Sequence, residues 1–137
     1  MDDLFCPGMD AKDINGMSML ALAHVGDAVY ELLTRTRLCK DCGMRVTELH
    51  RKTVAVVNAP AQAAAAERLL PVLSSEELAV YKRGRNAKVN SVPQKADIGE
   101  YHAATGLEAL FGWLYLQGET ERIGELFSAI TEETDGT

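Results

Sequence analysis

The sequence of 137 residues predicts an all-α domain. Two observations carry that expectation. No stretch alternates apolar and polar residues cleanly, and only the segment Val54-Ala-Val-Val57 is locally β-branched. Long segments instead repeat their apolar residues close to every 3.6 positions, with capping residues ahead of them and Gly or Pro behind.

The elements follow in order. Ser18 is placed to cap a helix running to about Leu38, with apolar residues at 19, 22, 25, 29, 32 and 33. Gly43 separates it from a second helix, about Val46 to Asn58. The segment PAQAAAAERLL starts with Pro60, whose missing N–H is harmless in a first turn, and stops before Pro71. Ser74-Ser-Glu-Glu77 has capping-box spacing and opens a short helix through Tyr81. GRNAKVNSVPQKA, residues 84–96, reads as a loop. Asp97 and Glu100 can cap the next helix, which ends near Gly118. A last helix, about Glu119 to Glu132, carries Ile123, Leu126, Phe127 and Ile130 on one stripe. The expected organisation is an N-terminal segment 1–14, one helical domain 15–132 and a frayed tail 133–137.

A hydrophobic fraction of 47% with 25% charged residues is an ordinary globular balance. A domain of this length buries roughly two-thirds of its unfolded surface, so it needs no disulfide or metal to fold. No run approaches the ~18 apolar residues of a membrane span, and the acidic start MDDLFCPGMD has no signal-peptide core. A cytoplasmic protein without membrane contact is expected. The cysteines are Cys6, Cys39 and Cys42. Cys39 and Cys42 have redox or half-zinc-site spacing, but a second CxxC and a βαβ pattern are both missing. Reduced thiols are the expectation, ahead of a zinc site built with Cys6 and His50.

The net charge of −6 discourages nonspecific binding to nucleic acid. Its distribution says more. From Leu78 to Ala96 the chain holds Lys82, Arg83, Arg85, Lys88 and Lys95 and no acid.

Two apolar runs each carry one carboxylate at the centre: LALAHVGDAVYELL has Asp27, and GLEALFGWLYL has Glu108. On a helix, neither acid has a basic neighbour three or four residues away. A bare ionised carboxylate in low dielectric costs several kcal/mol, so burial demands a proton or a cation. Two such helices packed together would turn both acids toward one point, a hard oxygen-rich site suited to Mg²⁺. The alternative is that each acid lies on the polar edge of an amphipathic helix. Gly26 beside Asp27, and Gly112 one turn after Glu108, favour the first reading. A glycine inside a helix costs about 1 kcal/mol relative to alanine and is best explained by close approach of a backbone or ligand. A di-iron bundle is set aside, because no histidine follows a Glu by three residues.

These runs resemble the motifs of ribonuclease III catalytic domains. Val25-Gly26-Asp27-Ala28-Val29 is similar to the family's Leu-Gly-Asp-Ala core, and Glu108-Ala109-Leu110-Phe111-Gly112 to its later Glu-Ala-Leu-φ-Gly helix. KRGRNAK, Lys82 to Lys88, is similar to the basic loop of the Mini-ribonuclease III branch, which lacks a double-stranded-RNA-binding domain. The resemblance spans about Asn15 to Ile130. It implies a compact helical homodimer and Mg²⁺-dependent endonucleolytic hydrolysis of double-stranded RNA. Maturation of the large-subunit (23S) ribosomal RNA precursor in the cytoplasm is implied too, with a ribosomal protein as candidate helper. Asp27 and Glu108 would be the catalytic, metal-holding acids. The family pattern also has a Glu four residues before the motif Asp and an Asp three before the motif Glu. Here those positions are Ala23 and Thr105, which fits the Mini branch and leaves a thinner metal shell.

Lys82, Arg83, Arg85 and Lys88 are expected to meet RNA phosphates, with Asn86 on a sugar or base edge. Arg51 and Lys52 are weaker candidates. Asp97 and Glu100 are candidate further ligands, with capping as the competing role. His24 is expected to pack or to touch a partner, Glu31 to be structural or to support the site, and Tyr30, Trp113 and Tyr115 to be core or interface. Two other function classes stay open on sequence alone: a module on the same fold that holds structured RNA without cutting it, and a purely structural helical dimer.

Overall fold

The computed structural model describes residues 3–41, 45–87 and 97–134, with side chains as far as 131. The described elements are all helical: α1 (Ala11–Asn15), α2 (Met19–Asp41), α3 (Val46–Val56), α4 (Ala59–Leu69), α5 (Ser75–Arg85), α6 (Ile98–Gln117) and α7 (Thr120–Thr134), with a 3₁₀ turn at Leu70–Val72 after α4. No helix among the described residues is long and apolar enough to cross a membrane.

Local chemistry sets the boundaries. Ser18 accepts the Ala21 N–H at 3.0 Å and opens α2. Asn58 accepts the Ala61 N–H at 2.9 Å and opens α4. Ser74 and Glu77 form the full reciprocal capping box of α5. Asp97 caps α6, and Gly118, with φ +82°, closes it in a left-handed conformation that favours glycine.

Helix α6 is the axis of the fold and packs chiefly on α2, then α5 and α4. Leu107, Ala109, Leu110 and Phe111 are fully buried along it. Tyr30 of α2 meets Phe111 edge to face at 5.4 Å, and Phe127 of α7 at 5.8 Å, so this tyrosine is core. A second cluster joins Ile14 and Leu22 to Ala109 and Leu116 of α6. Glu77 and Arg122 join α5 to α7 by two parallel hydrogen bonds of 2.8 Å each. Arg122 also donates to the Val72 carbonyl at 2.8 Å. This pairing holds the Glu77 carboxyl below the usual carboxylate range, chiefly through its hydrogen bond from Arg122.

The structure departs from the sequence expectation in three places. Leu32, expected inside, is 52% exposed, because α2 buries the stripe Leu22, Gly26, Tyr30 and Thr34 instead. The helix expected to end at Tyr81 continues to Arg85, since Gly84 packs directly on α6 rather than opening a loop. The short α1, capped by Asp10, was not anticipated and buries Ile14.

Candidate active site

The two acidic runs form α2 and α6, and these helices cross with their backbones in contact. A Cβ on Gly26 would lie 1.6 Å from the Glu108 carbonyl oxygen and 2.8 Å from the Gly112 nitrogen. A Cβ on Gly112 would lie 2.0 Å from the Leu22 carbonyl oxygen. Only glycine at both positions permits this approach, and each glycine is close in sequence to one of the acids. The crossing therefore delivers Asp27 and Glu108 to the same place, with their carboxyls within hydrogen-bonding reach of each other.

Their surroundings differ. Asp27 is exposed and Glu108 is half-buried. Burial first, and the adjacent Asp27 carboxyl second, push the Glu108 carboxyl up to about 8. Glu108 therefore keeps its proton at neutral pH unless a cation replaces it. Gln62 of α4 stands on the inner side. It approaches Glu108 closely enough to favour the charged carboxylate. Yet its Nε2 makes no hydrogen bond of ordinary geometry, although the residue is only 4% exposed. A buried donor left unmet costs about 1–3 kcal/mol. Gln62 does not stand out in the sequence. Its one signal was a lone amide in an alanine run, AQAAAA.

Two adjoining carboxyls and an amide make a hard donor set. It fits Mg²⁺, which commonly takes one or two carboxylates and completes its shell with water and phosphate oxygen. It does not make an all-protein cage: among the described residues, no group of three or more His, Cys, Asp or Glu is placed to hold a metal ion. Cys42 of the zinc alternative lies outside the described residues.

A family model described as the ribonuclease III domain matches residues 20–119. The chain is 47% identical over 113 residues to Mini-ribonuclease 3 of Symbiobacterium thermophilum, covering 82% of this chain and 87% of that one. This chain belongs to the Mini-ribonuclease III family. It is 46% identical to Mini-ribonuclease 3 of a Thermoanaerobacter species, over 82% of this chain and 79% of the other. A crystal structure of a Fusobacterium nucleatum protein superposes with a TM-score of 0.79 at 31% identity, over 89% of this chain and 98% of that one. As a Mini-ribonuclease III the chain is an endoribonuclease of the ribonuclease III type.

The two positions where it departs from the wider family pattern are closed to metal chemistry. Ala23 is buried. Thr105 is buried, and its hydroxyl donates to the Tyr101 carbonyl at 3.0 Å. Asp97 spends a carboxylate oxygen on the Glu100 N–H at 2.9 Å. Asp97 and Glu100 line a shallow hollow with Glu67, Pro60 and Ala63 rather than joining the central pair.

The expected RNA-contacting residues lie on another flank. Gly84 of α5 packs on Gly106 and Ala109. Gly106 and Glu108, two residues apart, point about 200° apart around α6. Lys82 and Arg83 are exposed on α5, Arg85 lies over the Tyr81 ring at 5.7 Å, and Asn86 ends the helix. Arg83 borders a hollow with Asn15, Glu76 and Gln117. Lys88 lies outside the described residues. Arg51 and Lys52 are exposed on α3. Glu31 pairs with Arg35 at 3.2 Å on the same helix, a local ion pair. His24 is exposed beside an apolar hollow lined by Phe5, Val25, Ala28, Leu32 and Tyr115.

Proposed function

We propose that this chain is a Mg²⁺-dependent endonuclease of double-stranded RNA in which Asp27 and Glu108 hold the ion. The observation that carries the reading is the meeting of these two carboxyls at the Gly26–Gly112 crossing. When bound, Mg²⁺ supplies Lewis acidity that lowers the pKa of an attacking water and neutralises charge growing on the phosphate. Asp27, exposed, offers oxygens from the solvent side. Glu108, half-buried on α6, gives up its proton and supplies the second carboxylate from a fixed backbone. The hydrolysis breaks the P–O3′ bond and leaves a 5′-phosphate and a 3′-hydroxyl.

Lys82, Arg83, Arg85, Asn86 and Lys88 serve as the phosphate- and sugar-contacting end of α5 and the residues after it. Their distance around α6 from the carboxyls suits a duplex, whose phosphates extend well beyond the scissile bond. The working unit is a homodimer. Leu20, His24, Ala28 and Leu32 follow at four-residue spacing down the exposed face of α2, next to Asp27. Leu20 is 40%, Leu32 52% and Phe5 74% exposed, a patch whose natural cover is a second copy. The Tyr115 hydroxyl donates to the Leu4 carbonyl and holds the Phe5 segment beside this patch. The catalytic unit is residues 15–132, acting in the cytoplasm on the 23S ribosomal RNA precursor, with a ribosomal protein as a candidate helper.

The test is cleavage of a long RNA duplex with Mg²⁺. Wild type should cut, and Asp27→Asn should not, while keeping its helicity and duplex affinity. Retained cleavage in Asp27→Asn would remove Asp27 from the chemistry. No cutting by wild type would favour the alternative, a module that only holds structured RNA.

A further inference from the structure

Among the described residues, only two buried side-chain polar atoms lack a hydrogen-bond partner: Gln62 Nε2 and His102 Nδ1. They are not equivalent. A neutral histidine can carry its proton on Nε2 and leave Nδ1 as an unused acceptor. A primary amide has two N–H groups that it cannot discard. Gln62 is 4% exposed, on a helix face otherwise made of Ala65, Ala66 and Leu69. Packing does not explain an amide there, since leucine or methionine has as good a helix propensity and no polar group to satisfy.

The carboxyl within side-chain hydrogen-bonding reach of that amide is that of Glu108. A carboxylate turned toward a cation would offer the amide a full acceptor, with its other oxygen left for the ion.

We propose that Gln62 is a positioning residue of the cation site, donating its amide N–H to the ionised Glu108 carboxylate and fixing which oxygen faces the divalent ion. The inference rests on the reading of Asp27 and Glu108 given above. Gln62 bonds to Glu108 and touches no reacting atom.

The test is calorimetric titration of Mn²⁺ into the full chain, for wild type, Asp27→Asn and Gln62→Met, with melting temperatures taken in EDTA. Gln62→Met should weaken Mn²⁺ binding by about tenfold, the lower end of what a lost supporting hydrogen bond does at a metal site. Its melting temperature in EDTA should equal or exceed that of wild type, because an unmet donor has gone. Mn²⁺ affinity within twofold of wild type, or a lowered melting temperature with unchanged affinity, would overturn the role. In wild type, which needs no variant to fold, the ¹⁵N side-chain amide resonance of Gln62 should shift on adding Mg²⁺, and an unmoved resonance would also overturn it. Wild type that binds no Mn²⁺, or Asp27→Asn that binds it equally well, would instead bring down the parent reading.

Discussion

The carbonyl oxygen of Glu108 occupies the space that a side chain on Gly26 would need, 1.6 Å from where its Cβ would be. The obstacle is backbone, so no rotamer change relieves it. Gly26→Ala must part α2 from α6, and we expect a loss of more than about 3 kcal/mol together with the site. Gly124, exposed on α7, has nothing within 4 Å of a built Cβ, so Gly124→Ala should stabilise by roughly 0.5–1 kcal/mol. Chemical denaturation of both variants checks the pair. Equal small effects would show that the two helices do not touch at Gly26.

Without a bound metal, Glu108 makes the stability of the folded protein depend on pH. Glu108, ordinarily near 4.5, is pushed up to about 8 by burial and by Asp27. Folded protein then holds a proton that unfolded protein has released, so stability is full below about 4.5 and falls as pH rises toward about 8. The limiting slope is roughly 1.4 kcal/mol per pH unit. In EDTA, Glu108→Gln should flatten this decline and be the more stable protein at pH 8. Melting curves across that range read it directly, and parallel curves for the two proteins would contradict it.

For the basic end of α5, the double substitution Arg83→Glu, Arg85→Glu should weaken binding to duplex RNA. The salt dependence should flatten as well, by about one unit of slope for each phosphate that is no longer neutralised. Duplex affinity measured at several salt concentrations tests this. Unchanged affinity and slope would make these side chains a solvated helix end.

The apolar face of α2 yields a test of assembly. Wild type should have twice the chain mass by light scattering, whereas Leu32→Glu should have the mass of one chain with helicity retained. Wild type at the mass of one chain would leave Leu32, Leu20 and Phe5 without the cover assigned to them.

Much of the fold was legible because its signals are local. Ser18, Ser74 with Glu77, Asp97 and Gly118 mark helix ends through hydrogen bonds or φ angles set within a few residues. Glycine was harder to read. Gly26 and Gly112 sat inside strong apolar periods, so their helices were expected to continue and a close approach could be inferred. Gly84 sat among basic residues and read as a helix stop, although it makes the same kind of contact with α6. The buried stripe on α2 was misplaced because it sets Gly26 and Thr34, which carry no apolar signal, between Leu22 and Tyr30. The Glu77–Arg122 pair spans 45 residues and leaves no mark in local spacing. At the site, the pairing of Asp27 with Glu108 was inferable from two similar oddities in the chain. Gln62 was not, because its importance comes only from what lies opposite it.

The central claim is that Asp27 and Glu108 share one divalent ion. Anomalous scattering from crystals grown with Mn²⁺ tests it most directly. The expected result is a peak within coordinating distance of both carboxylates at the Gly26–Gly112 crossing, lost in Asp27→Asn. A peak held elsewhere, or none between these side chains in a protein that still cuts RNA, would contradict it.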